Sequence, residues 1–214
     1  MKKKCIIIGG GGHARVLIDS INASGVAEIV GILDRATKTH GKKLDGVPVL
    51  GDDTIIKRIS TAHKAGYFAI GVGSTSDNTL RAKLFDMCIK AGLKPLTIVH
   101  PTAFIASSAK IGEGCQIQPL AAICAGAVLG TNVIVNTSAV VEHDCRVASH
   151  VHIATGAKLA GGVKLGEKAF VGAGSVIRQG IIIGVGAIVA AGAVVVKDVA
   201  AGVAVAGVPA EKMR

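Results

Sequence analysis

Aromatic side chains are nearly absent from this chain of 214 residues: no tryptophan, one tyrosine and four phenylalanines. That excludes the stacking platforms on which single-stranded nucleic acids are held, and it argues against a broad core built on rings. No apolar run is long enough to span a bilayer, and the opening Met1-Lys2-Lys3-Lys4-Cys5-Ile6-Ile7-Ile8 is too short for a secretion signal. Five cysteines stand at spacings that form no disulfide framework. A reducing, cytoplasmic setting is therefore expected. Acidic residues are outnumbered, 14 against 24 basic ones, for a net charge of +10. With neither dense basic runs nor rings, that excess suits small polyanions such as nucleotide diphosphates and coenzyme A better than nucleic acid.

What the chain has instead is a period. From Val99 to Val195 every sixth residue is Val, Ile or Leu, seventeen times without a gap. Two residues before most of them stands a small side chain, such as Ala103, Ala109, Cys115, Ala121 or Ala139. Six matches neither a helix nor an alternating strand. It matches a parallel β-helix in which each hexapeptide supplies one short strand and one turn, three of them closing a triangular coil. A narrow prism takes Ile, Val and Ala and has no room for rings, and the 29 glycines suit its sharp corners. Cys115 and Cys145 fall on small inward positions and read as core.

Before the repeat the pattern is β/α. Strands are expected at residues 4–9, 28–34 and 67–73. Helices are expected after the glycine turn as far as Gly25, over 53–64 with Gly66 closing, and from Ser76-Asp77 to Gly92. The last of these carries Leu80, Leu84, Met87, Cys88 and Ala91 on its buried face. This predicts an α/β, Rossmann-like N-terminal domain over residues 1–96 and a β-helix over 97–214, with residues after Val195 as a cap or tail.

Two constellations carry chemistry. Gly9-Gly10-Gly11-Gly12-His13-Ala14 leads from a strand into a helix, which aims backbone N–H groups and a helix N-terminus at an anion. Ala14 stands where a full dinucleotide fingerprint has its last glycine, and Asp34 ends the second strand where a ribose-binding acid often sits, so NAD stays open here. The second is Glu142-His143-Asp144-Cys145, polar residues in a bland repeat. His143 falls at a prism corner pointing out, flanked by carboxylates that orient its ring and fix its tautomer, an arrangement suited to a general base. His150 and His152 alternate with inward Val151 and Ile153 and are expected to face outward on one flat side. They splay along that face with no further histidine above them, so no metal site is expected.

On these motifs, together with Asn136-Thr137-Ser138, Gly156-Ala157 and Ala160-Gly161, the chain resembles the bacterial sugar acyltransferases over essentially its whole length. These join a Rossmann-like domain to a left-handed β-helix, and include nucleotide-linked 4-amino-sugar N-acetyltransferases and sialic acid O-acetyltransferases. The resemblance implies a homotrimer with active sites in grooves between neighbouring β-helices, and acetyl-CoA lying along the groove at His152, Ala173 and Ala191. It implies a nucleotide sugar held by Gly11, Gly12, His13, Asp34, Arg35 and Gly71, with His143 as general base supported by Asp144. Some relatives carry Glu where Asp144 stands, so Glu142 is an alternative partner for His143. Some carry an acid at Arg35, which leaves the nucleotide's base open. The activity implied is N-acetylation of a nucleotide-linked 4-amino sugar for surface glycans. The alternatives are O-acetylation of a sialic acid, an NAD-linked redox protein and a passive solenoid.

Overall fold

The computed structural model describes residues 2–74 and 76–213, which form two compact units. The first holds the chain through Gly73 together with Arg81–Ile98; the second holds Ser74–Leu80 and the chain from Val99 onward. Ser74–Leu80, which the sequence places within the α/β stretch, thus belongs with the repeat.

In the first unit β1 (Lys3–Ile8) is central, and α1 (Gly12–Ser24), β2 (Ala27–Leu33), β3 (Lys43–Leu44) and β4 (Val47–Gly51) follow it. After them come α2 (Ile56–His63), β5 (Tyr67–Ile70), α3 (Thr79–Lys90) and β6 (Lys94–Pro95). The sheet order is β3-β4-β2-β1-β5-β6, parallel except for the β3–β4 hairpin. Both faces of β1 are covered, which is why it reads as an unbroken apolar run. Cys5 and Ile7 pack with Leu17 and Ile21 of α1, while Ile6 and Ile8 pack with Ile59, Leu84, Phe85 and Cys88 of α2 and α3.

Several local expectations are corrected. The strand expected third is fifth, because β3 and β4 precede it. They are joined by the two-residue turn Asp45-Gly46, with φ of 45° and 86°, the conformation that hairpin strands favour. A 3-10 turn, Asp53–Ile55, precedes α2, with Asp52 capping the Thr54 N–H, and Lys64 rather than Gly66 takes the left-handed closing position. On α3, Leu80 is 49% exposed, whereas Arg81 is 1% exposed and donates to the Ile70 and Val72 carbonyls. The guanidinium supplies a donor to carbonyls at and just past the end of β5 while its aliphatic stem lies buried.

The second unit is a left-handed parallel β-helix. Its two-residue strands stack in three sheets of eight, six and five, and neighbours within each sheet stand 18 residues apart over most of the length: Gln116–Ile117 on Ile134–Val135 on His152–Ile153. The second residue of each strand points inward, and from Ile117 to Val195 these positions are at most 3% exposed. Cys115 and Cys145 are in this core at 0%. Past Val195 the register changes: Ala204–Ala206 joins the eight-stranded sheet, and Glu211–Lys212 folds back antiparallel on it. A cavity left at mid-stack cannot collapse when coils above and below fix the backbone. Ile153→Ala is therefore expected to cost about 2–5 kcal/mol, read by urea titration at fixed protein concentration.

Candidate functional site

The corner between the six- and five-stranded sheets carries Glu142, His143, Asp144 and Cys145, between strands Val140–Val141 and Arg146–Val147. Its second turn residue must adopt a left-handed φ, which glycine supplies on many other coils. Here the position is Asp144, at φ 60°. A non-glycine residue at this φ is tolerated best for Asp or Asn. The turn aims its carboxylate back along the chain, so that Asp144 Oδ2 accepts from His143 Nδ1 at 3.0 Å. Glu142 is turned elsewhere: its Oε2 accepts from the main-chain N–H of His143 at 3.3 Å. Asp144 is therefore the ring's partner and Glu142 a partner of the backbone. With Nδ1 committed, Nε2 is the atom left to take a proton, and the His143 side chain is 60% exposed, as expected of an outward corner.

The surroundings hold this geometry. Arg146, which the sequence did not single out, donates from one nitrogen to the carbonyls of Gly126 at 2.6 Å, Cys145 at 3.2 Å and Asp144 at 3.3 Å. Gly161, one coil on, has an ordinary φ, and its lack of a side chain is a matter of space. A Cβ there would fall against His143 Nε2 and within 2.6 Å of Cε1. Two thiols lie at the same corner. Burial, with Glu142 adding to it, pushes the Cys124 thiol up from its ordinary value, and burial does the same for Cys145. Both stay protonated, so neither offers a thiolate nucleophile.

His152, Ala173 and Ala191 come together, as the sequence grouped them, on a cavity of about 510 Å³ along the eight-stranded sheet. Asn136, Phe170, Met213 and Ser74 also line it. Ala173 and Ala191 are exposed, and among the described residues their N–H groups have no acceptor. His152 points away from the prism core as expected, but it is only 5% exposed and does not face open solvent. His150 does not share its face. It occupies a left-handed corner at φ 62° and pairs through Nδ1 with Asn132 Nδ2 at 2.9 Å, 18 residues earlier. Among the described residues no group of three potential metal ligands occurs.

The cavity and His143 sit at different corners of one chain, with the six-stranded sheet between them. The outward residues of that sheet are mostly apolar: Phe104, Ala122, Val140, Val176 and Val194, with Lys158 the charged exception.

In the first unit, Gly11 caps α1, and Gly11 and Gly12 are exposed at its N-terminus with His13 half-buried behind them. Asp34 is committed to the same turn: Oδ2 accepts from the Gly10 N–H, and Oδ1 from the Ala36 N–H at 2.6 Å. Arg35 pairs with Asp53 at 3.0 Å and otherwise faces solvent. Gly71 is buried, donates its N–H to Ile8 at 2.7 Å, and has no room for a side chain against the Gly9 carbonyl. It sets the approach of β1 to β5 and presents no surface of its own. Among the described residues no helix is long and apolar enough to cross a membrane.

Comparison with known proteins shows where such a chain is met. The family model described as the PglD N-terminal domain matches residues 4–88. UDP-N-acetylbacillosamine N-acetyltransferase of Bacillus subtilis (strain 168) is 35% identical over 118 residues, 54% of this chain. That match spans about half, 51%, of the curated relative's length. Among solved structures, a mutant of perosamine N-acetyltransferase from Caulobacter crescentus, in complex with CoA and GDP-perosamine, is 36% identical. The match covers 99% of this chain and 97% of that one, with a TM-score of 0.92. The acetyltransferase domain of PglB from Neisseria gonorrhoeae FA1090, in complex with acetyl coenzyme A, is 33% identical over 100% of both chains, with a TM-score of 0.88.

Proposed function

Because the chain belongs to the hexapeptide-repeat sugar N-acetyltransferases, we propose that it moves the acetyl group of acetyl-CoA to the 4-amino group of a nucleotide-linked deoxyamino sugar. The observation that carries this reading is the pair of half-sites on the β-helix. One corner holds an oriented base, and another holds a small-residue cavity with unpaired N–H groups. A narrow apolar cavity suits the linear arm of coenzyme A, and those N–H groups are the donors a thioester carbonyl needs as it gains charge. The relatives solved with CoA or acetyl coenzyme A support that occupant.

The sugar nitrogen attacks the thioester carbonyl. The new C–N bond forms, the C–S bond breaks, and the proton shed by nitrogen goes to Nε2 of His143 while Asp144 holds Nδ1. Coenzyme A leaves as a thiolate and takes up the proton that His143 then gives back, so that the thiol is released and the base is neutral again. No covalent enzyme intermediate is required, and the gain comes largely from holding two substrates together. The exposed N–H groups of Gly11 and Gly12 at the start of α1 would take the nucleotide's phosphates, beside His13. Asp34 and Arg35 shape the loop next to that turn, and Gly71 sets its spacing. An NAD reading loses its acid here, since the Asp34 carboxylate is bonded to Gly10 and Ala36.

Within one chain the two half-sites are separated by a full hexapeptide face, up to about 20 Å of extended chain. Base and thioester meet only if the corner of one copy faces the cavity of another, as a cyclic trimer packed through the apolar six-stranded face would arrange. We place the reaction in the cytoplasm, in the assembly of surface glycans; the five free thiols fit a reducing compartment.

The test is release of coenzyme A from acetyl-CoA, followed with a thiol reagent against UDP-, GDP- and dTDP-linked 4-amino sugars and free sialic acid. Turnover with one nucleotide amino sugar is expected. Turnover with sialic acid alone, or with none of the panel, overturns the assignment.

A further inference from the structure

His152 lies within the cavity, its ring edge-on to Phe170 with centroids 5.3 Å apart. Both of its nitrogens meet side chains whose own orientation is fixed by backbone groups. Asn78 Nδ2 donates to the carbonyls of Lys168 at 3.1 Å and Ala169 at 3.0 Å. The amide nitrogen of Asn78 is thereby identified, and its Oδ1 is the atom facing Ser74 Oγ at 2.5 Å. A carbonyl oxygen only accepts, so the Ser74 hydroxyl gives its one proton to Asn78. Toward His152 Nδ1, 3.2 Å away, Ser74 has only lone pairs to offer, and Nδ1 must carry the hydrogen.

The opposite edge of the ring gives the same answer independently. Asn136 Oδ1 accepts from the Thr137 N–H at 2.8 Å, which turns Nδ2 toward His152 Nε2 at 3.4 Å. A donor faces Nε2, so Nε2 is the bare nitrogen. Protonating it would set two donors against each other. Among the described residues, no charged side chain lines the cavity to offset a positive ring.

We propose that Ser74 and Asn78 are positioning residues that hold His152 as the neutral Nδ1–H tautomer, keeping the wall of the carrier cavity uncharged and leaving proton transfer to His143. The tautomer follows from the hydrogen-bond network alone; only the occupant of the cavity rests on the acetyl-CoA reading. Ser74–Leu80 runs in sequence from beyond β5 into the first turn of α3 yet belongs to the β-helix unit, and this network gives that excursion a purpose.

The test is nitrogen NMR of the full chain labelled selectively with 15N-histidine, seven residues in all, with His152 assigned by its loss in His152→Gln. The wild type is expected to show a protonated Nδ1 and a bare Nε2, unchanged from about pH 6 to 8, the range in which a free imidazole titrates. Ser74→Ala is expected to let the ring titrate or mix tautomers, with the KM for acetyl-CoA raised about tenfold and kcat within about twofold. That is the scale of one lost neutral hydrogen bond. A wild-type ring that carries hydrogen on Nε2, or titrates in that range, overturns the proposal even if no variant folds. An unchanged His152 pattern in folded Ser74→Ala, or a kcat loss at constant KM, overturns the positioning role. If the protein proves not to use acetyl-CoA, the NMR result still decides the tautomer.

Discussion

His143→Ala is expected to lower kcat by about 10²–10⁴-fold, the range a positioned general base contributes, while the fold and the KM for either substrate stay near those of the wild type. The residue sits on an exposed turn and contributes nothing to the inward column of Val141, Cys145 and Val147. Its removal therefore opens no core cavity and should leave the melting temperature within a few degrees. The measurement is steady-state coenzyme A release with both substrates saturating, beside a thermal melt of the same preparation. A variant that turns over at the wild-type rate would remove His143 from the chemistry. The base would then have to be sought elsewhere, and His152 is a poor substitute because both of its ring nitrogens already meet Ser74 and Asn136.

How far the sequence foretells this depends on how local each feature is. The β-helix is legible throughout because one six-residue rule fixes strand, corner and inward position at once, with nothing in the chain contradicting it over seventeen repeats. That an adjacent carboxylate would meet His143 is legible for the same reason: neighbouring residues on a turn of known geometry. Which of Glu142 and Asp144 meets the ring is not legible, since it depends on the left-handed φ at position 144. The β3–β4 hairpin was signalled by Asp45-Gly46, but strands of two and five residues with a proline at 48 carry little periodicity. Reading α3 by hydropathy put Leu80 on the buried face, whereas Arg81 is the residue buried there, donating to the carbonyls of Ile70 and Val72. His152 shows the limit most clearly. Alternation gives its direction, but its enclosure comes from Ser74 and Asn78, more than 70 residues earlier, which no pattern within the repeat can show.

Gly161 offers a sharper test of the same site than removing the base, because it leaves every catalytic group present. Its backbone φ lies outside the left-handed region, so alanine adds no conformational strain and slightly favours folding by restricting the unfolded chain. The nearest obstacle to the added Cβ is the far edge of the His143 imidazole, where it would fall against Nε2 and 2.6 Å from Cε1. An exposed ring can swing aside at little cost in stability, but it cannot do so and keep both the 3.0 Å bond to Asp144 and the direction of Nε2. A displacement of about 1 Å at a reacting atom costs roughly 10²-fold in rate. Gly161→Ala is therefore expected to lose about that factor in kcat, with unchanged or slightly raised stability and little change in the KM for acetyl-CoA. Rate and melting temperature measured together decide the matter. Equal losses in both would show that Gly161 spaces the coils, whereas a slow, fully stable enzyme would show that it reserves the room in which His143 works.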